Sequence, residues 1–231
     1  MILERPEEEE GVEDHPKRLQ ILSSSGMIVS MDASTPCAFC DAHDATYGHV
    51  LKETEEFRVV CDPYPLIEGH ILIIPKRHIA CIGACSIGAF REFMTLYTEV
   101  GKFLQKNYGA LSSFEHGDIG HSVPHAHMHL LPCEVSEKSV IPEGESHLEP
   151  LMGMAALRSL FAQRNHYLFF STGAKCWTVD SDLAKPRFFR DRLAIVLGRP
   201  QRGNWKAMSS IPKHMDAAAK EIASLEKKWN V

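Results

Sequence analysis

The sequence predicts an α+β fold, a mostly antiparallel sheet with packed helices followed by a carboxy-terminal α/β extension. Three observations point there. Residues 57–61 and 71–74 are short apolar runs joined by the turn-forming stretch Asp62-Pro63-Tyr64-Pro65 and Glu68-Gly69, as in paired strands. Residues 86–109 carry apolar side chains at helical spacing between a capping serine and a glycine. Residues 125–131 alternate His125, His127 and His129 with Ala126, Met128 and Leu130. On a strand the imidazoles form one row and the apolar set faces the core.

In chain order, residues 1–32 read as an acidic flexible tail, with Glu7 to Glu10, then Ser23-Ser24-Ser25-Gly26 and a short strand at 27–29. A globular segment follows at 33–140. Its helix starts at Ser86 and runs to about Tyr108, with Phe90, Phe93, Met94, Tyr97, Val100 and Leu104 as the apolar stripe and Gly109 as the stop. Residues 111–114 and 125–131 complete the sheet. The extension, 141–231, should hold a helix at 152–163, a strand at 167–170 and a helix at 185–198 with Pro186 at its first position. A last helix covers 215–229, with Ala217, Ala218, Ile222 and Leu225 inward.

At 231 residues the chain can bury a real core. A net charge of -5 argues against bulk nucleic-acid binding, although not against local patches. The strongest apolar stretch, 71–74, is far too short to span a membrane, and the first residues lack a signal-peptide pattern. Seven cysteines, an odd number, favour reduced thiols in the cytoplasm over a disulfide framework.

Cys37-Ala38-Phe39-Cys40 is a knuckle that can present two thiolates to one tetrahedral zinc, which then needs two more ligands. His78 and the end of the His125 row are candidates; otherwise the pair is two buried thiols. Cys81 and Cys85 read as plain thiols. A metal site built on the histidine row alone fits poorly, because the next acid is Glu134, beyond a proline. A nucleophilic imidazole oriented by its neighbours fits better. Phosphorus is the electrophile that suits it, since phosphoryl transfer rests on positioning and charge stabilisation. The loop Gly120-His121-Ser122 just upstream supplies donors for phosphate oxygens.

The run His125-Ala126-His127-Met128-His129-Leu130-Leu131 resembles the His-φ-His-φ-His-φ-φ signature of the histidine triad (HIT) family. Residues 69–79, Gly-His-Ile-Leu-Ile-Ile-Pro-Lys-Arg-His-Ile, resemble that family's Gly-His-x-Leu-φ-φ-Pro-Lys-x-His segment, and Cys37-x-x-Cys40 resembles the knuckle of its zinc-containing branch. The resemblance covers roughly residues 35–133. It implies a HIT-like domain at 33–140 and reaction at a nucleotide α-phosphorus through a covalent nucleotidyl-histidine. His127 is then the nucleophile, flanked by His125 and His129. Asp62 falls where the family contacts ribose hydroxyls, His70 where a buried histidine supports the triad, and Ser122 where a hydroxyl meets the phosphate or leaving group. Cys37, Cys40, His78 and His125 would hold a structural zinc.

Two departures stand out. His121 replaces a frequent glutamine, and unlike glutamine it can give a proton to the leaving group near neutrality. Phe114-Glu115-His116-Gly117 replaces a stretch that often carries a substrate-contacting asparagine; His116 there reads as a surface-loop histidine. A second resemblance, to the carboxy-terminal segment of CwfJ-like proteins linked to RNA processing, lies in 187–206. Between Lys185 and Lys206 seven basic residues face one acid, which suits a solvated helix face or a surface for polyphosphate or RNA. Trp205, Phe188 and Phe189 read as core. The leading expectation is a nucleotidyl hydrolase or transferase acting on a dinucleoside polyphosphate, a nucleoside phosphoramidate or a similar conjugate. The alternative is a non-catalytic nucleotide- or RNA-binding module. Family members often form homodimers.

Overall fold

The computed structural model describes residues 37–41 and 45–230. The expected acidic tail and its strand at 27–29 lie outside the described residues. In chain order the elements are β1 (Val50–Glu53), β2 (Phe57–Cys61), β3 (Ile71–Pro75), α1 (Ile87–Tyr108), β4 (Ser112–Gly117), β5 (Met128–Leu131) and α2 (Glu137–Val140). Then come β6 (Leu148–Pro150), α3 (Leu157–Arg164), β7 (Tyr167–Thr172), β8 (Lys175–Val179), α4 (Phe188–Val196), α5 (Trp205–Ser209) and α6 (Pro212–Trp229). The strands form one eight-stranded antiparallel sheet in the order β1-β2-β3-β5-β4-β7-β8-β6, an α+β architecture.

Both faces of the centre of this sheet are covered, which is why β2 and β3 read as nearly unbroken apolar runs. Phe57, Val59, Ile71 and Ile73 meet Phe93, Leu96, Val100 and Leu104 of α1 in one core cluster. On the other face Val60, Leu72 and Ile74 are covered by Phe39, from the Cys37-to-Cys40 turn. A second core forms where Phe188, Phe189 and Leu193 of α4 pack with Phe114, Leu168 and Phe170 of β4 and β7. The extension therefore continues the sheet, through the six-residue pairing of β4 with β7.

The helix signals act as expected. Ser86 accepts a hydrogen bond from the Ala89 amide, and Gly109 takes the left-handed conformation (φ +92°) that ends α1. Gly69, before the buried His70, has φ +86°, and a Cβ there would lie 2.7 Å from Pro132 Cγ. Only glycine fits that turn.

Several boundaries differ from expectation. The regular strand β5 starts at Met128, so His125 and His127 precede it. The strand expected at 111–114 runs to Gly117 because β7 pairs with its whole length, which places His116 on a buried strand and corrects its reading as a loop residue. Helix α4 starts at Phe188, not at 185; Pro186 lies ahead of it and Arg187 sits in the left-handed region. Helix α6 starts three residues earlier than expected, with Pro212 in its first turn. Strands β6 and β8 gave no clear sequence signal: β6 is a three-residue edge strand containing Pro150.

Candidate active site and metal centre

The first cluster is built by the knuckle that caps the sheet. The ligand atoms of Cys37, Cys40, His78 and His125 all lie within 4.8 Å of one another. Nδ1 of His125 is 3.4 Å from both sulfurs, and Nδ1 of His78 is 3.4 Å from Cys40 Sγ. A tetrahedron with metal–sulfur bonds of about 2.3 Å and metal–nitrogen bonds of about 2.05 Å has sulfur–nitrogen edges of roughly 3.6 Å, so the donors stand at the spacing of a Cys2His2 zinc site. The other nitrogen of His125, Nε2, donates to the Pro75 carbonyl at 2.8 Å, which aims the Nδ1 lone pair at the sulfurs. Burial lowers the His125 pKa to about 4, so the imidazole is neutral and able to ligate.

His127 lies two residues on. Its Nδ1 is 2.6 Å from the His125 carbonyl oxygen, which can only accept, so Nδ1 carries the proton and Nε2 keeps its lone pair. Burial, reinforced by neighbouring imidazoles, lowers its pKa to about 3 against that hydrogen bond. The ring is edge-on to Phe39 at 5.0 Å and to His129 at 4.9 Å. His129 is fixed from both sides. Phe114 stacks flat on it, with centroids 4.1 Å apart and planes at 15°, and His70 Nε2 is 2.9 Å from its Nδ1. Because His70 Nδ1 accepts from the Leu66 amide at 3.2 Å, His70 Nε2 is the donor. His129 is then left protonated at Nε2. Burial holds His70 down to about 4 and His129 well below the ordinary histidine value, so both are neutral.

Asp62 completes this chain and brings in the extension. Its carboxylate lies 3.4 Å from His70 Nδ1, but that nitrogen carries no proton, so the contact is no ion pair. The partners are the Tyr64 amide, 2.8 Å from Oδ1, and Arg190 of α4, whose guanidinium is 2.6 Å from Oδ2. Burial would raise the Asp62 pKa; Arg190 overrides it and holds the carboxyl below its ordinary value. Arg190 also donates to the Tyr64 carbonyl at 2.6 Å. The residue expected to meet ribose thus spends its charge on a helix 128 positions away.

The neighbouring cleft is lined by His127 and His129 on one side and by Phe39, Tyr64, Ser122 and Trp205 around them. Trp205 is half-buried in this wall, which corrects its reading as core. Its indole N–H points to Ser122 Oγ at 3.4 Å, and its ring lies 5.5 Å from that of Tyr64. His121 is half-buried with Nε2 unpaired among the described residues, and burial lowers its pKa against the pull of Asp118. His116, buried on β4, is close enough to lower the proton affinity of His127.

The basic segment is largely neutralised from within. Arg187 pairs with Asp191, Arg190 with Asp62, Arg192 with Glu143, and Arg199 and Arg202 both with Glu221. Lys185 and Lys206 remain without a carboxylate partner among the described residues. Among the described residues no helix is long and apolar enough to cross a membrane.

The HIT domain family model matches residues 44–135. An adenosine 5'-monophosphoramidase of Schizosaccharomyces pombe is 32% identical over 99 residues, 42% of this chain and 73% of the relative. A second, of Saccharomyces cerevisiae, is 31% identical over 127 residues, 52% of this chain and 77% of its own. An asymmetrical bis(5'-nucleosyl)-tetraphosphatase of S. pombe is 29% identical over 79 residues, and the aligned part spans 43% of its length. These relatives carry the names of nucleotide hydrolases, and with two of them aligned over most of their length, the chain belongs to the HIT family.

Proposed function

We propose that the protein is a nucleotide hydrolase or nucleotidyltransferase acting at an α-phosphorus, with His127 as the nucleophile. The observation that carries this reading is the hydrogen bond from His127 Nδ1 to the His125 carbonyl, which leaves Nε2 as a lone pair at the cleft. Nε2 attacks phosphorus, the N–P bond forms, and the bond to the leaving group breaks. Water, or another acceptor, then attacks the nucleotidyl-histidine and returns the imidazole. The Nε2–H of His129 is the donor for a phosphoryl oxygen, held in that tautomer by His70 and in that plane by Phe114. His121, with Nε2 unpaired among the described residues and near enough to act on the charge of His127, is the candidate to protonate what leaves. Ser122 lines the same wall. Asp62 remains the residue for a ribose hydroxyl, through lone pairs that Arg190 and Tyr64 do not use.

Cys37, Cys40, His78 and His125 fit zinc by donor chemistry and spacing. Bound there, the metal supplies no reaction step: four protein ligands fill its coordination and tie the knuckle to the chain that carries His127. The reading of 185–206 as an RNA surface gains nothing from its arginines, each engaged by a carboxylate of this chain.

The test is intact-mass spectrometry of the wild type and His127→Ala after rapid quenching with adenosine 5'-phosphoramidate and with diadenosine tetraphosphate. The expected result is a nucleotidyl adduct on the wild type alone, with turnover lowered about 10⁴-fold or more in the variant. Undiminished turnover in His127→Ala would remove the nucleophile.

A further inference from the structure

His116 is buried on β4, two positions beyond the Phe114 that supports His129, and strand alternation puts both side chains on one face. It does not line the cleft. Its ring stands edge-on to that of Phe189, with centroids 5.3 Å apart and planes at 84°, so α4 packs directly against it. Burial pushes its pKa down to about 4, and the neutral ring carries one proton.

The position of that proton follows from α4. Amides in the first turn of a helix have no partner within the helix. Arg187, at the start of α4, sits in the left-handed region and gives no side-chain cap. The Phe189 amide donates instead to His116 Nε2, at 3.5 Å. A ring nitrogen that accepts holds no proton, so Nδ1 is the N–H. That N–H is buried and makes no hydrogen bond of good geometry among the described residues. The backbone carbonyls of Gly120 and Ile119 raise the ring's proton affinity, which places them on its N–H side.

The loop to which those carbonyls belong leans on the same helix. Asp118 (φ +66°) turns the chain back, its amide donating to the His116 carbonyl at 3.0 Å. Gly120 (φ +66°) rests on the chain ahead of α4: a Cβ there would lie 3.0 Å from the Lys185 nitrogen and 3.1 Å from its carbonyl oxygen. His121 and Ser122 come next. One imidazole thus has α4 on one nitrogen and the loop that carries His121 and Ser122 on the other.

We propose that His116 is a positioning residue for the reaction: its Nε2 caps α4, its Nδ1–H holds the carbonyls of Ile119 and Gly120, and α4 thereby sets where His121 and Ser122 stand. The part played in the reaction rests on the reading that His127 attacks phosphorus; the brace itself does not.

Three substitutions in the full chain separate the two nitrogens. His116→Leu removes both functions, His116→Asn keeps an N–H near the Nδ1 position, and His116→Gln keeps an acceptor near the Nε2 position. Each is measured for kcat and KM on adenosine 5'-phosphoramidate, for amide hydrogen exchange and for melting temperature. In His116→Leu kcat should fall about 10–100-fold while KM moves less than about threefold. Amides of 118–123 should exchange at least about tenfold faster, and those of α1 at the wild-type rate. His116→Asn should recover most of the lost kcat and loop protection yet melt about 2–4 °C below the wild type, through the lost cap. His116→Gln should keep the melting temperature and leave kcat low. Should His116→Leu not fold, the crossed pattern of the other two decides. A histidine that merely supports the fold would move kcat and melting temperature together in all variants. That result, or unaltered loop exchange, overturns the proposal. A wild type without turnover, or His127→Ala with undiminished turnover, overturns the underlying reading and the part of the proposal that concerns the reaction; loop exchange then decides the brace by itself.

Discussion

Replacing Arg190 by methionine would show how tightly α4 and the cleft depend on one another. The guanidinium is 7% exposed and the Asp62 carboxylate 3%, so their 2.6 Å contact is a buried ion pair. Methionine keeps most of the volume and removes every donor. The carboxylate is then left with the Tyr64 amide as its remaining hydrogen-bond donor among the described residues. Breaking a buried pair from one side costs about 3–5 kcal/mol, chiefly the desolvation of the stranded charge. The pH dependence gives the reasoning a sharper edge. In the wild type Asp62 titrates below the ordinary carboxyl value, so its contribution is present above the unfolded pKa and lost as pH falls through the lowered folded value. Without Arg190, burial dominates and the folded pKa rises above the unfolded one. The sign reverses: the variant is then least handicapped below about pH 4 and loses stability as pH rises towards neutrality. Urea unfolding at pH 5 and pH 7 reads both effects. The expected outcome is a deficit of about 3–5 kcal/mol at pH 7 that shrinks at pH 5, and that Asp62→Asn in the same background largely removes. A deficit below about 1 kcal/mol, typical of an exposed pair, or one that does not change with pH, would refute the argument.

Glu115 tests the same logic in a group with no cationic partner among the described residues. Burial raises its pKa to about 7 from 4.5, although the Tyr167 hydroxyl and the Ile82 amide donate to it. Its contribution should be complete below pH 4.5 and decline as pH rises through 7, by about 3 kcal/mol in all. Glu115→Gln should flatten that slope in urea midpoints between pH 5 and 8; an identical slope would assign the titration elsewhere. At the knuckle, one equivalent of zinc should be found by elemental analysis. Cys40→Ser or a strong chelator should lower the melting temperature along with the metal content, whereas a melting curve indifferent to chelation would argue against a structural metal.

What was legible in the sequence depended on how local its cause was. The stripe of α1, Ser86 before it and Gly109 after it all act within one or two turns, and the helix lies where they put it. The knuckle and the histidine row were legible because ligand spacing is itself local, although their meeting at 3.4 Å is a product of the fold. Long-range pairing left no such trace. His116 reads as a surface-loop residue because nothing nearby announces β7, and four of the arginines of 185–206 read as a surface stripe because their carboxylates lie at Asp62, Glu143 and Glu221. Phe114 cannot make the substrate contact of the asparagine it replaces, yet its flat ring is what the plane of His129 rests on.

Strand β4 lies between β5 and β7, bonded to both. A chain cut after residue 140 would keep every histidine of the triad and the whole knuckle, yet would bare one side of β4 as a row of open amide and carbonyl groups from Ser112 to Gly117. Such a row is a template for self-association. The natural seam suggested by the motifs is thus a poor place to divide the protein, and an excised fragment should be expected to stick to itself before it reveals anything about catalysis.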